Sequence, residues 1–361
     1  MIPYMKPWID DEEKKQIIEV IESTYLKEKH KTEEFESKFK ELSGARHAIS
    51  YCNGTMSLFA ALKLLGIKEN DEVIVPDITF IASSNSVILT GAKPVFVDVD
   101  KKSFQIDADE IEKSITPKTK AIMPVHLYGY SCDMDKITSI AKKHNLKIVE
   151  DAAQGVGVKF NGRHVGTFGE YGSFSFFGNK NITLGEGGML ITNEDELARK
   201  AYSFKNHGRK KTGTFIHEEI GYNFCITEMQ AAIGLAQLAK LEEIKKNKLR
   251  ILEYYKKNLS GIKELEVYSG DPRCDSIPWF VNIIVPDALK LQEHLEKNGI
   301  MTRRIFYPLH MQPCYSYLKI PKEKFPNSLF LYEHVLSLPS YAKITEQELK
   351  EVVAKIHAFY N

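Results

Sequence analysis

Short runs of β-branched residues alternate with longer helical patterns in the first half of the chain, and this alternation constrains the fold more than any other feature. The strand-like runs are "HAISY" (47–51), "EVIVP" (72–76), "KPVFVDVD" (93–100), "KAIMPVH" (120–126) and "LKIVEDA" (146–152). Segments with helical spacing of apolar residues lie between them, such as "GTMSLFAALKLLG" after the first run. The pattern predicts an α/β fold with a mostly parallel central sheet flanked by helices.

The pattern changes in the last third of the chain. Residues 227–259 predict one long amphipathic helix with Thr227 as its N-cap. A few strand-like pieces and two further helical patterns follow. We therefore predict a large domain over 1–249 and a smaller C-terminal α/β domain over 250–361, with segment 1–25 as a candidate to pack on the smaller one.

Composition argues against several classes of partner. The 361 residues carry a net charge of +1 without a basic block of nucleic-acid type, so we expect no nucleic acid as partner. No run of about 18 apolar residues occurs, and the N-terminus lacks the apolar region of a signal peptide, so we expect no membrane association. The five cysteines are scattered without CxxC spacing, which predicts a cytoplasmic protein without disulfides or a metal site.

A strand, a tight turn and a helix start meet in "SYCNGTMSLFAAL" (50–62). Gly54 permits close backbone approach, and the free N–H groups of a helix start attract anions. With the hydroxyls of Thr55 and Ser57, this turn suits a phosphate or a carboxylate. An ordinary turn capped by threonine explains the same residues.

Two carboxylates end a buried strand in "IVEDAAQGVG" (148–157). Ligands of open α/β sheets bind at this edge, and a buried carboxylate needs a partner such as a cationic ring nitrogen. Glu150 and Asp151 are therefore candidates for ligand binding. The alternative is an acidic cap on the next loop.

One lysine, Lys180, stands apart from the charged clusters, between an aromatic strand and a run of glycines in "SFSFFGNKNITLGEGG" (173–188). A partly desolvated lysine has a lowered pKa and can form a Schiff base. The stretch matches neither a P-loop nor a dinucleotide-binding motif. An anion site, a buried aspartate and this lysine together describe a site for pyridoxal phosphate.

The sequence resembles the DegT-type sugar aminotransferases, enzymes of fold type I that use pyridoxal phosphate. The resemblance covers most of the chain and rests on seven motifs in the family's order: "CNGTMSL", "DEVIVPDITFIAS", "VEDAAQGVG", "SFSFFGNKNITLGEGGMLIT", "FKNHG", "GYNFCITEMQAAIGLAQL" and "RRIFYPLH". Within the family, "SFSFFGNK" and "FYPLHMQPCYS" are most similar to perosamine synthases, which aminate carbon 4 of GDP-4-keto-6-deoxymannose.

The resemblance implies a role for each matching residue. Lys180 is the Schiff-base lysine and the catalytic residue, Asp151 holds the pyridinium nitrogen, and Gln154 bonds the ring's phenolic oxygen. The remaining cofactor-binding residues surround the phosphate or the ring: Gly54, Thr55, Met56 through its amide, Phe80, Ser175 and, from the neighbouring subunit of a homodimer, Asn223.

The substrates that the resemblance implies are L-glutamate and a nucleotide-linked 4-keto-6-deoxy sugar, giving a 4-amino-4,6-dideoxy sugar and 2-oxoglutarate. Glu186, Arg303 and His310 are the candidate substrate-binding residues. For His310, a hydrogen-bonded histidine between domains is an equal alternative. A 3-aminotransferase, an aminoshikimate-type enzyme and a non-catalytic cofactor-sensing regulator are the alternative functions.

Three positions depart from the family's pattern. Cys225 replaces an arginine in "GYNYR", Lys29 replaces a glycine in a loop that can border the nucleotide, and Arg304 replaces a proline in "TRP". A branch of the family that dehydrates its substrate has histidine in place of the lysine. Lys180 argues against that branch.

Overall fold

The computed structural model describes residues 1–209 and 215–360, and helices and strands alternate through most of it. The helices are α1 (Asp11–Ser23), α2 (His30–Ser43), α3 (Gly54–Leu64), α4 (Ala82–Leu89), α5 (Ala108–Lys113), α6 (Met134–His144), α7 (Asp195–Lys205), α8 (Glu228–Ala239), α9 (Leu241–Leu259), α10 (Ala288–Lys297), α11 (Pro326–His334) and α12 (Glu346–Tyr360). None of these described helices is both long and apolar enough to cross a bilayer.

The strands form three sheets. They are β1 (His47–Tyr51), β2 (Glu72–Pro76), β3 (Lys93–Val97), β4 (Thr119–Ile122), β5 (Lys147–Asp151), β6 (Lys159–Phe160), β7 (Arg163–His164), β8 (Tyr171–Ser175), β9 (Gly188–Thr192), β10 (Glu266–Val267), β11 (Cys274–Asp275), β12 (Val281–Ile284), β13 (Arg303–Arg304) and β14 (Val335–Leu338). The largest sheet has seven strands in the order β1-β9-β8-β5-β4-β2-β3.

The seven-stranded sheet is mostly parallel, as the alternation predicts. Strands β8, β5, β4, β2 and β3 pair in parallel, whereas β9 runs antiparallel between β8 and β1. The carboxyl ends of β1, β5 and β8 therefore lie at one edge of the sheet. The residues that follow those ends, predicted above as a cofactor site, are brought to the same edge.

A second, antiparallel sheet forms late in the chain, with the order β10-β12-β14-β13. It packs with α9, α10 and α12 around an apolar core of its own. Ile2 belongs to this core, and its backbone bonds to Gly299 and Met301. In the same N-terminal segment, α1 packs against α8. A domain boundary at 249/250 stays a prediction.

The predicted single helix over 227–259 is wrong in one respect: the helix is broken at Lys240. There the backbone angles, φ −93° and ψ −5°, depart from those of a regular helix. The Lys240 Nζ lies 2.7 Å from carboxylate oxygens of both Asp10 and Glu13. Lys240, the residue between α8 and α9, is thus held by ion pairs to α1 and to its N-cap. The predicted N-cap at Thr227 is confirmed, and Gln230 completes a capping box.

Candidate active site

A cavity of about 650 Å³ opens at the carboxyl edge of the seven-stranded sheet. Its lining combines residues from the ends of three strands of that sheet with residues of the later chain. They are Asn53, Gly54, Thr55, Met56, Leu58, Thr79, Phe80, Ala82, Asp151, Ala153, Gln154, Ser175, Phe177, Asn179, Lys180, Glu186, Trp279, Arg303 and Phe306. Ten of the twelve residues predicted for the site line it.

One end of the cavity is built from the start of α3 and the end of β8. A Cβ atom on Gly54 would lie only 2.9 Å from the Cβ of Ser175, so glycine lets the helix start touch the strand. This contact brings the hydroxyls of Thr55 and Ser175 to the same wall. Two hydroxyls beside a helix start make an anion site.

Two of the groups expected at this end already have hydrogen-bond partners within the protein. The amide of Met56 donates a 2.9 Å hydrogen bond to the Asn53 side chain, so the helix cap already uses the donor that we assigned to phosphate. Ser57 is buried outside the cavity lining, and its hydroxyl bonds Ser173 at 2.6 Å. The hydroxyls of Thr55 and Ser175 remain available to an anion.

Asp151 and Glu150 have opposite surroundings although they are neighbours in sequence. Asp151 lines the cavity and accepts hydrogen bonds from Ser83 Oγ at 2.7 Å and Ala153 N at 3.1 Å. Burial raises the pKa of its carboxyl. In the described residues, no lysine or arginine forms an ion pair with it. A cationic ligand group fits this carboxylate.

Glu150 has no ligand-facing role. Its carboxylate accepts hydrogen bonds from the amides of Gly166, Phe168 and Gly169 at 2.6 to 2.8 Å and lies 2.9 Å from His126 Nε2. It is thus fully engaged by the loop between β7 and β8. Of the two alternatives for this pair, loop capping applies to Glu150.

Lys180 lies in the turn after β8, and its Nζ is 4.3 Å from the centre of the Trp279 ring. Burial is the main cause that lowers its pKa to about 8, with a smaller contribution from Arg303, while Asp151 opposes the shift. Within the described chain, its Nζ has neither a hydrogen bond nor an ion pair. A partly neutral, unengaged amine can act as a nucleophile or a base.

Gln154 is oriented by the backbone of the loop after β4. Its Oε1 accepts a 2.6 Å hydrogen bond from Tyr128 N. Because the oxygen is held by this donor, the Nε2 group remains to donate into the cavity. This geometry suits the predicted bond to a phenolic oxygen.

Aromatic rings form the wall opposite the sheet. Phe80, half exposed, approaches Phe306 with ring centres 6.0 Å apart. The Arg303 guanidinium lies 5.1 Å from the Phe306 ring centre and 5.9 Å from that of Trp279. Arg303 therefore presents a cation inside an apolar wall, a position that suits an anionic group of a ligand.

Glu186 lies at the mouth of the cavity and is exposed. Its carbonyl accepts a 2.9 Å hydrogen bond from Gln230 Nε2, and Gly185 before it has φ +81°. Partial burial raises the pKa of its carboxyl. Of the nearby glycines predicted to pass a ligand, Gly188 instead packs on protein: a Cβ there would lie 2.5 Å from Asn53 O.

Two predicted residues lie outside the lining. Asn223 is exposed near the start of α8. Its contact with the phosphate site of a neighbouring subunit stays a prediction. His310 is buried, with Nδ1 2.7 Å from Asp77 Oδ2 and Nε2 2.9 Å from Lys322 O. Both ring nitrogens are engaged, which supports the hydrogen-bonded alternative for His310 over substrate binding.

The three departures from the family's pattern have local explanations. Lys205 places Nζ 2.7 Å from Glu28 and 3.3 Å from Glu36, beside Cys225, so a cation remains near the position of the missing arginine. The backbone of Lys29 bonds Glu228 at 2.7 Å. Arg304 stacks 4.0 Å from the ring centre of Tyr332, away from the cavity.

Sequence reasoning missed three contributors to the site: Ser83, Trp279 and Phe306. Ser83 lies within the quoted motif "DEVIVPDITFIAS", and Trp279 within the strand-like piece "PWFVNIIVP" of the last third of the chain. The sequence offered one sign of these residues: each is a polar or aromatic residue near the end of a strand or helix. Long-range contacts decide which of them reach the cavity.

Comparison with known proteins assigns the chain to a protein family. The model of the DegT/DnrJ/EryC1/StrS aminotransferase family matches residues 7–357. The chain belongs to this family. It is 40% identical to GDP-perosamine synthase of Escherichia coli O157:H7, over 100% of the chain and 99% of the relative. It is also 38% identical to a UDP-N-acetyl-3-dehydro-alpha-D-glucosamine 3-aminotransferase of Acidithiobacillus ferrooxidans, over 89% and 86% of the two chains.

Among solved structures, DesV from S. venezuelae superposes with a TM-score of 0.93 at 32% identity, over 97% of this chain and 95% of that one. These findings confirm the predicted family and the α/β fold of an aminotransferase. The chain is a sugar aminotransferase that depends on pyridoxal phosphate, as the sequence predicted.

Proposed function

We propose that the protein transfers the amino group of L-glutamate to carbon 4 of a nucleotide-linked 4-keto-6-deoxy sugar, giving a perosamine-type amino sugar and 2-oxoglutarate. The observation that carries this proposal is one cavity holding an unengaged Lys180 amine and a buried Asp151 carboxylate. The likeness to GDP-perosamine synthase supports amination at carbon 4.

The residues present fit pyridoxal phosphate. Thr55 and Ser175 would bind its phosphate, Asp151 its ring nitrogen, and Gln154 its phenolic oxygen, while Lys180 would bind its carbonyl carbon. The buried Asp151 carboxylate argues most strongly for this fit, because a protonated ring nitrogen supplies the cation that it lacks. When bound, the cofactor supplies an electron-withdrawing ring and a carbonyl that carries amino groups.

Lys180 performs the proton transfers in this proposal. Its lowered pKa leaves a useful fraction of neutral amine near pH 7. That amine would take the proton from the substrate carbon that bears the nitrogen and return it to the other carbon bonded to the same nitrogen. Trp279 and Phe306 exclude water from this volume, which favours the neutral amine.

Arg303 and Glu186 are proposed to select the substrates. The Arg303 guanidinium would bind a carboxylate of glutamate, and Glu186 at the mouth would face the sugar. We further propose a homodimer in which Asn223 of one subunit reaches the phosphate site of the other. A cytoplasmic location remains the expectation from the cysteine pattern.

Product analysis tests the function. The purified protein is incubated with L-glutamate and GDP-, dTDP- and UDP-linked 4-keto-6-deoxy sugars, and the aminated carbon is identified by NMR. We expect a 4-amino product and 2-oxoglutarate, with none from Lys180→Ala. A 3-amino product would favour the 3-aminotransferase alternative. If glutamate leaves the visible absorbance of the bound cofactor unchanged, the regulatory alternative replaces the proposal.

A further inference from the structure

A lysine buried outside the cavity, Lys248 on α9, is only 2% exposed. Its Nζ donates hydrogen bonds to two backbone carbonyls, Trp279 O at 2.8 Å and Ser340 O at 2.6 Å. No carboxylate of the described residues forms an ion pair with it, and burial lowers its pKa to about 7. Burying an amine without a counter-charge costs folding free energy, which raises the question of what this lysine contributes in return.

One of the two carbonyls that Lys248 bonds belongs to Trp279, the residue whose ring faces Lys180. Trp279 is fixed at three points: its N donates to Tyr128 O at 2.8 Å, its O accepts from Lys248, and its indole Nε1 donates to Asn179 O at 2.7 Å. The contacts come from three separate parts of the chain. The indole ring is thereby held with its centre 4.3 Å from Lys180 Nζ.

Tyr128 and its neighbour add to this arrangement. Gly129 has φ +81°, and a Cβ there would lie 2.0 Å from Ile277 O, so the loop lies directly on the segment that carries Trp279. The backbone N–H of Tyr128 also donates to Gln154 Oε1 and so orients that side chain. Lys248 closes the opposite side of this segment by tying it to Ser340, at the end of β14.

We propose that Lys248 is a positioning residue that fixes the Trp279 ring against the reactive amine of Lys180. The proposal rests on the role proposed above for Lys180. With a pKa of about 8, most of the Lys180 amine is still protonated at pH 7, and an ammonium group is attracted to an indole face over a short range. Reacting groups need positions accurate to about 1 Å. Loss of the two hydrogen bonds would release the Trp279 main chain, and the ring would no longer order the amine.

The test uses fluorescence, because the chain has only two tryptophans, Trp8 and Trp279. In a Trp8→Phe background, emission reports Trp279 alone, in the cofactor-free protein and in the holoenzyme. Lys248→Met removes the donors at similar length, and Lys248→Arg keeps a cationic donor. Lys246→Met is the matched control, because Lys246 is exposed on the same helix.

We expect Lys248→Met to shift Trp279 emission to longer wavelength and to increase its quenching by acrylamide. The kcat of the glutamate half-reaction should fall about tenfold or more with a smaller change in KM, because positioning is lost rather than binding. Lys248→Arg should restore most of both signals, and Lys246→Met should leave both unchanged.

Unchanged Trp279 emission and kcat in Lys248→Met would overturn the proposal, even if the variant unfolds more easily. Should Lys248→Met not fold, Lys248→Leu provides the same comparison with a branched apolar side chain, and normal emission and kcat in that variant also overturn it. Absence of any transamination by the parent protein contradicts the proposed function instead. The fluorescence comparison then still decides whether Lys248 positions Trp279.

Discussion

Ser83 donates a 2.7 Å hydrogen bond to Oδ2 of Asp151, although 68 residues separate them in sequence. The Ser83 hydroxyl is also 3.0 Å from that of Thr79, which lines the cavity. The Asp151 carboxylate accepts from both Ser83 Oγ and Ala153 N, and these two donors fix its orientation toward the cavity. The serine on α4 therefore orients the carboxylate that we propose binds the ring nitrogen.

Ser83→Ala should weaken retention of pyridoxal phosphate by about 10-fold to 150-fold, because a hydrogen bond to a charged group contributes about 1.5 to 3 kcal/mol. The dissociation constant is measured by titrating cofactor into the cofactor-free protein. Ser84→Ala is the matched control, since Ser84 bonds Ile81 O and the Tyr315 hydroxyl instead. Equal affinities of the two variants would contradict a role for Ser83.

Lys180 should destabilise the cofactor-free protein in a pH-dependent manner. Because burial lowers its pKa from 10.5 to about 8, the folded state binds fewer protons than the unfolded chain between these values. The cost is therefore fully present below pH 8 and is lost as the pH rises to 10.5.

Lys180→Met should accordingly be more stable than the parent by about 1 to 3 kcal/mol at pH 7, and the difference should shrink above pH 8. Urea unfolding at several pH values measures it. Lys200→Met is the control and should show no such trend, because the Lys200 side chain on α7 is partly exposed. A difference that is constant with pH would contradict the lowered pKa.

Asp151→Asn should reduce transamination by at least about 100-fold, because the ring nitrogen loses its anionic partner. Its stability should change little, since burial already disfavours the Asp151 carboxylate. Cofactor absorbance after addition of glutamate measures the first effect, and urea unfolding the second.

Glu150→Gln is the natural comparison and should show the opposite behaviour. Three backbone amides and His126 converge on this carboxylate, so its loss should cost about 3 kcal/mol of folding free energy. The folded fraction should transaminate at a nearly normal rate. Loss of chemistry with unchanged stability would reverse our assignment of the two carboxylates.

Lys205→Met should destabilise the protein by about 3 to 5 kcal/mol, because Glu28 and Glu36 lose their buried cation. Cys225 lies beside this group, at the position where the family often has arginine. We expect Cys225→Arg to restore part of the lost stability in the double variant. Denaturant unfolding of the four combinations measures the coupling, and strictly additive effects would argue against exchange of the cation between the two positions.

The sequence predicted those parts of the site that local patterns encode. Asp151 ends a recognisable strand, Thr55 and Lys180 follow two others, and parallel strands bring such ends to one edge. The break at Lys240 escaped prediction because it depends on carboxylates of α1, more than 200 residues earlier.

The aromatic half of the site was not predictable in the same way. Trp279 reaches Lys180 only through the packing of a later segment on the Tyr128 loop. His310 is a different case: the motif allowed either a ligand or a hydrogen-bonded histidine between domains, and Asp77 and Lys322 engage both ring nitrogens. Tertiary contacts of distant segments decided each case.

The contact between Gly54 and Ser175 limits how this enzyme can diversify. Any larger side chain at position 54 would push α3 from the sheet and pull the two hydroxyls apart. Glu186 and Arg303 line the same cavity but take no part in the contact between Gly54 and Ser175, so we expect substitutions there to change the substrate preference while the two hydroxyls stay in place.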